Sequence, residues 1–245
     1  MTLTTPPARR PINWINPMPG IKRILIAGCL SSLMTLPATA KNPPAFSTGT
    51  LTGWQKKTFS ALPQTRYQLV TENGASVLHA VCQNSASGLV WRQTIDLTKT
   101  PFLTWRWKIS GIYANLNPHT KSGDDYPARV YVVTGNPLLP WTVRSLVYVW
   151  ANGPVSASIH GPRGTPFYTD PYTAQAEIVA LRQGPAGAGA WATEQRNLRT
   201  DLARAFGEGH DVIRAVAVMT DCDDSHSHGQ AWYGDIGFAN MKSSQ

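Results

Sequence analysis

Apolar and polar residues alternate with a period of two along much of this chain, in short runs broken by Gly, Pro and Asn. That period marks strands that bury one face. The clearest run is Phe102-Leu-Thr-Trp-Arg-Trp-Lys-Ile109. Leu103, Trp105, Trp107 and Ile109 fall on one side, and Thr104, Arg106 and Lys108 on the other, so the aromatic row is expected in the core. Runs at 65–71 and 76–82 flank Asn73-Gly74, a pair suited to the positive φ angles of a tight hairpin. Further strands are expected at 85–95, 129–134, 145–150, 174–181, 191–198, 212–218 and 232–238. A single helix is expected at 201–206, with Thr200 as cap, Leu202, Ala205 and Phe206 on one face, and Gly207 as its end. The Gly- and Pro-rich span 152–172 reads as irregular connection. Many short strands and one short helix predict an all-β chain folded as an antiparallel β-sandwich. One domain is expected over 50–241, behind a loose Pro- and Ser-rich leader at 41–49.

The first forty residues read as an export signal. Lys22-Arg23 precedes a mostly apolar run, 24–36, and Ala38-Thr39-Ala40 offers a small-x-small cleavage site before Lys41. Met18 is an alternative start. About thirteen apolar residues are too few for a membrane span, which needs about 20. Ile26-Ala27-Gly28-Cys29 also resembles a lipobox. The expected location is therefore the periplasm or outside the cell, with membrane contact only during export.

The expected signal carries Arg9, Arg10, Lys22 and Arg23 and no acid, so removing it leaves 18 basic against 14 acidic residues, +4 in place of +8. No Lys/Arg-rich run remains to engage nucleic acid. Of three cysteines, Cys82 and Cys222 stay behind in an oxidising compartment, and a disulfide between them is expected.

The candidate chemistry lies in two acidic segments. Asp124 and Asp125 end a long polar loop just before Arg129. Carboxylates accept hydroxyl protons and a fixed guanidinium orients a ligand. The plainer alternative is an Asp125–Arg129 pair that pins the loop to the sheet. Asp221, Asp223 and Asp224 follow a β-branched strand and offer oxygens to a hard cation such as calcium, with Asp235 or Glu72 as a further ligand. The spacing does not match an EF-hand, since His226 and Trp232 occupy the places of its glycine and glutamate. No cofactor is required by this reading, though calcium fits it. His226-x-His228 has ligand spacing for zinc on an extended strand, but two ligands are too few. For catalysis, Asp125 and Asp223 are the paired carboxylates, provided that they converge. No nucleophile elbow, His-Glu-x-x-His helix or phosphate-cradling loop is present in the sequence.

Several segments in order resemble a bacterial family, domain of unknown function 3047. They are Ser85-Ala-Ser-Gly-Leu89, Pro101-Phe-Leu-Thr-Trp-Arg-Trp-Lys108, Asp124-Asp125 with Ala128-Arg-Val-Tyr131, and Tyr148-Val-Trp150. Trp191, Arg196-Asn197, Asp201, Phe206-Gly-Glu208, Met219-Thr-Asp-Cys-Asp224 and Tyr233-Gly-Asp235 continue the series. The resemblance implies an exported or envelope-associated single domain and supplies no activity. Ser225-His-Ser-His228 lies outside the family pattern. The closing Tyr-Gly-Asp-Ile strand is also similar to that of jelly-roll carbohydrate-binding domains, so the sandwich is expected to be of jelly-roll, galactose-binding-like type.

The function expected from these residues is non-catalytic binding of a polar small molecule or glycan. Asp124, Asp125, Arg129, Asp221, Asp223 and Asp224 would form the polar side of the site, with Tyr126 or Trp232 stacking on a sugar. A carboxylate-dependent glycan hydrolase and a purely structural envelope protein are the alternatives.

Overall fold

A computed structural model describes residues 42–240. The expected export signal, its cleavage point before Lys41 and the lipobox-like Cys29 lie outside the described residues. Fourteen strands and one α-helix make up the regular structure, together with four short 3-10 turns.

The chain enters through a 3-10 turn at Phe46–Thr48. Phe46 is buried and stacks on Trp54, with ring centroids 5.1 Å apart. The segment expected to be a loose leader is therefore docked by an aromatic anchor. Strand β1 (Gln55–Thr58) follows. β2 (Arg66–Glu72) and β3 (Ala75–Gln83) form the expected hairpin, with Asn73 at φ 51° and Gly74 at φ 80°. Positive φ at both positions matches the right-handed twist of the flanking strands. β4 (Ala86–Asp96) and β5 (Phe102–Ile109) come next, and β5 alternates between half-buried and buried at every residue.

β6 (Ala128–Thr134) and β7 (Arg144–Ala151) are an antiparallel pair, and every residue of β6 is buried. The stretch expected to be irregular holds two short strands, β8 (Ile159–His160) and β9 (Pro166–Asp170). They carry the chain across so that β10 (Thr173–Gln183) runs parallel to β7. A parallel partner needs such a crossover; the remaining ladders are antiparallel. β11 (Ala192–Asn197) leads into α1 (Leu198–Phe206). The helix starts earlier than expected because Asn197, not Thr200, is its cap and accepts the Thr200 N–H at 3.2 Å. β12 (Val212–Asp221), β13 (His228–Tyr233) and β14 (Gly237–Ala239) complete the chain. The closing strand expected as one run is broken at Gly234–Ile236.

Two sheets result. One has the order β1-β4-β12-β6-β7-β10-β9-β8; the other has β11-β5-β13-β3-β2, with β14 also paired to β5. This is the all-β sandwich expected. Between the sheets, Trp105 and Trp107 of β5 meet Tyr148 and Trp150 of β7 at centroid distances of 5.1 and 6.2 Å. The tryptophan row is core. A second apolar cluster covers the other face of the eight-stranded sheet and includes Tyr131, Val133, Val147, Ile178 and Met219. Among the described residues, no helix is long and apolar enough to cross a membrane.

Candidate functional site

The polar site lies where β6 begins and β12 ends. The two strands are antiparallel neighbours, with Met219 opposite Arg129. The side chains of Arg129 and Asp221 therefore leave the sheet on one face, at the ends of two central strands, beside the loop that brings in Asp124 and Asp125.

Arg129 is fully buried and its fork closes on Asp221, with Nε donating to Oδ1 at 2.9 Å and Nη2 to Oδ2 at 2.5 Å. Nη1 donates to Asp124 Oδ1 at 3.2 Å, and Nη2 also reaches the Asp124 carbonyl. The guanidinium lies 4.4 Å over the Tyr126 ring. Burial opposes the Arg129 charge, but Asp124 and Asp221 outweigh it and hold the group ionised. Arg129 thus pins the loop to the sheet, as the plainer expectation held, but through Asp124 and Asp221 in place of Asp125. Asp221 also accepts the Tyr126 N–H at 3.2 Å. Asp124 and Asp221 are thus both engaged in the buried ion pair with Arg129.

Asp125 turns the other way. Its Oδ2 accepts the Ser225 N–H at 2.6 Å, across 100 residues of sequence. Its carbonyl accepts from Asn152 Nδ2 at 2.6 Å, and Asn152 Oδ1 in turn accepts the Tyr113 N–H at 2.8 Å. Asp125, Asp223 and Asp224 each bring one carboxylate oxygen to within 4.8 Å of the others. The convergence on which a shared site depends is present. Burial, then the nearby Asp221 charge, pushes the Asp125 carboxyl up to about 6, against the opposing Ser225 hydrogen bond. Asp224 is half-buried, and both its oxygens lie 3.0 Å from the Tyr172 hydroxyl.

Two residues of this neighbourhood were missed in the span read as irregular. Tyr172 is one. Asp170 is the other; it accepts the N–H groups of Tyr172 and Thr173, and burial pushes its carboxyl up.

Three carboxylate oxygens within 4.8 Å can be bridged by one calcium ion, whose oxygen ligands sit at about 2.3–2.6 Å. The set keeps Asp223 and Asp224 of the expected Asp221, Asp223 and Asp224, has Asp125 where Asp221 was expected, and includes neither Asp235 nor Glu72. Asp235 lies after β13, where it accepts from the backbone and hydroxyl of Ser47 at 2.9 and 2.5 Å. Glu72 is paired with Lys108.

The Cys82–Cys222 disulfide is formed, with Cα atoms 6.2 Å apart. It ties the end of β3 to the turn that carries Asp223 and Asp224. The far side of that turn borders an open cleft of about 720 Å³, lined by Gln83, Asn84, Ser110, His226, His228 and Gln230 among others. His226 stands at φ 51° in the turn and contacts Asn84 Oδ1 at 2.8 Å, while His228 opens β13. The two histidines do not share one extended strand, and the three-ligand cluster among the described residues contains neither.

The expected stacking aromatics are occupied. Tyr126 is buried, and its hydroxyl bonds that of Tyr168 at 2.8 Å. Trp232 stacks on His79 of β3 at 4.7 Å, and Lys108 of β5 covers it at 4.2 Å. Because β13 lies between β3 and β5, the ring is flanked on both sides.

The chain belongs to the family described as Protein of unknown function (DUF3047), whose model matches residues 52–237. No curated protein matches it. Among solved structures, it is similar to endoglucanase 3 of Trichoderma harzianum from family GH12 at 10% identity, with TM-score 0.46, covering 85% of this chain and 99% of that one. It is similar to a carbohydrate-binding module specific for non-crystalline cellulose, CBM28, at 11% identity and TM-score 0.41, covering 82% and 95%. A third similarity is to the glycoside hydrolase domain of Endo-D from Streptococcus pneumoniae R6, at 11% identity and TM-score 0.36. The match covers 78% of this chain but spans only 22% of that one.

Proposed function

We propose that the protein is an exported module that binds a hydroxyl-rich polar ligand, a glycan of the cell envelope, at the Asp125–Asp223–Asp224 cluster. The observation that carries this reading is the meeting of three carboxylates from two distant segments within 4.8 Å. A carboxylate accepts two hydroxyl protons at once and so matches adjacent hydroxyls on a sugar ring. The half-buried Asp224 and Tyr172 form the edge that a ligand meets first. The polar cleft behind the same turn extends the surface with amide and imidazole groups. Calcium held by the three acids would neutralise them and offer its open coordination positions to sugar oxygens.

A second reading, a glycan hydrolase, is favoured by one observation. Asp125 holds its proton to about pH 6, beside Asp223. Carboxyl groups whose environments push their ionisation apart are the pattern of a general acid with a nucleophile or base. Their closeness is nearer the separation of about 5–5.5 Å in retaining enzymes than the longer one in inverting enzymes.

The test is to incubate the protein with a panel of soluble envelope polysaccharides and to follow both binding and new reducing ends. Saturable binding without new reducing ends supports the module. Reducing ends that vanish in both Asp125→Asn and Asp223→Asn support the hydrolase. Neither binding nor turnover across the panel overturns both readings.

A further inference from the structure

The loop between β6 and β7 displays apolar side chains to solvent. Leu138 is 82% exposed, Trp141 67% and Leu139 38%, and with Ile159 they are the exposed large hydrophobics among the described residues. Clustered exposure of this kind marks a contact surface.

The loop is built to hold them there. Asn136 Oδ1 accepts the Leu138 N–H at 3.0 Å, the Asn136 carbonyl accepts the Leu139 N–H at 2.9 Å, and Thr142 Oγ1 accepts the Asn136 N–H at 3.0 Å. Gly135 closes the base at φ 99°, and a Cβ there would meet the Thr142 carbonyl at 2.4 Å. Pro137 and Pro140 fix φ on either side of the leucines. The apolar tip is thus pre-set in an ordered loop.

Charge identifies the partner. Residues 135–144 contain no acid. Arg144 donates to the carbonyls of Trp141 and Val143, and Arg214 to the carbonyl of Gly135 and the hydroxyl of Thr94. Among the described residues neither guanidinium meets a carboxylate, so no acid offsets these two cations behind the tip. Apolar residues with a Trp, backed by arginines, match the boundary between acyl chains and anionic headgroups.

We propose that this loop seats the protein on an anionic lipid surface, Leu138, Leu139 and Trp141 entering the boundary and Arg144 and Arg214 meeting phosphates. The carboxylate cluster lies at the start of β6 and the loop at its end. A seven-residue strand spans about 20 Å, so the seated protein would hold the cluster away from the membrane. The sequence alone confined membrane contact to export; the loop points to a lasting one.

The test is sedimentation of the full chain with vesicles of phosphatidylcholine and phosphatidylglycerol in equal parts, and with phosphatidylcholine alone. The comparison is the variant Leu138→Ser/Leu139→Ser/Trp141→Ser. Both chains share the same N-terminal segment, so their difference reads the loop. The substituted side chains face solvent, and an unchanged thermal midpoint verifies the fold. The proposal expects the variant to bind the anionic vesicles at least about tenfold more weakly, the equivalent of losing one buried leucine. It also expects Arg144→Gln/Arg214→Gln to erase most of the preference for anionic over neutral vesicles. Equal binding by wild type and the serine variant overturns it. So does a wild-type dimer that the serine variant abolishes without any change in vesicle binding, which would assign the loop to a second copy of the chain.

Discussion

Replacing Asp125 with Asn removes a carboxyl of the cluster whose ionisation burial resists. The group titrates at about 6 in the folded protein and at about 3.9 in an unfolded chain. Between those values the native state binds more protons than the unfolded one. Stability from this group is therefore full below about pH 4 and is lost as pH rises through 6. Two units correspond to roughly 3 kcal/mol. Asn keeps an oxygen for the Ser225 N–H and carries no charge. In chelator at pH 7.5 the variant should be more stable than wild type by about 2–3 kcal/mol, or roughly 5–10 °C in Tm for a domain of this size. Below pH 4 the two should coincide. The assay is a series of urea midpoints from pH 4 to 7.5, read as the difference between the two proteins. A difference that stays flat across that range, or an Asn variant less stable at pH 7.5, would refute the electrostatic account of the cluster. A residue that weakens the fold at neutral pH is the kind that function retains.

Arg129→Ala should cost about 3–5 kcal/mol, because it leaves Asp124 and Asp221 buried without their cation; chemical denaturation reads the loss. Breaking the Cys82–Cys222 bond, which spans 140 residues, should cost about 2–5 kcal/mol by constraining the unfolded chain less. Urea midpoints of Cys82→Ser/Cys222→Ser measure it, and added reductant should leave that variant unmoved. Calcium at a hundredfold excess over its Kd should raise stability by about 2.7 kcal/mol, or roughly 5–11 °C in Tm. Asp224→Asn should abolish the rise, and no rise in wild type would remove calcium from the site.

The elements that were legible in the sequence are those whose signals are local. Asn73-Gly74 specifies its own backbone angles, and the alternation of β5 needs no knowledge of its partner. The Cys82–Cys222 pairing was expected from an even count of cysteines behind an expected export signal. Three features were hidden because they depend on distant chain. Arg129 chooses Asp221 over the nearer Asp125 only because β6 and β12 are neighbours in the sheet. Asp235 is separated from the other acids by the break between β13 and β14. β8 and β9, the last two strands of the larger sheet, are too short to show a period, so Asp170 and the turn residue Tyr172 passed as connection. The helix start moved by three residues because Asn197 competes with Thr200 as cap, and sequence alone does not rank two cap-forming residues one turn apart.

The central claim is that Asp125, Asp223 and Asp224 form a site for a glycan. Affinity electrophoresis through gels containing each soluble polysaccharide tests it directly, with wild type beside Asp224→Asn and Asp235→Asn. The account predicts that at least one polysaccharide retards wild type and Asp235→Asn equally, while Asp224→Asn runs unretarded. Equal retardation of all three would place binding elsewhere on the molecule and contradict it.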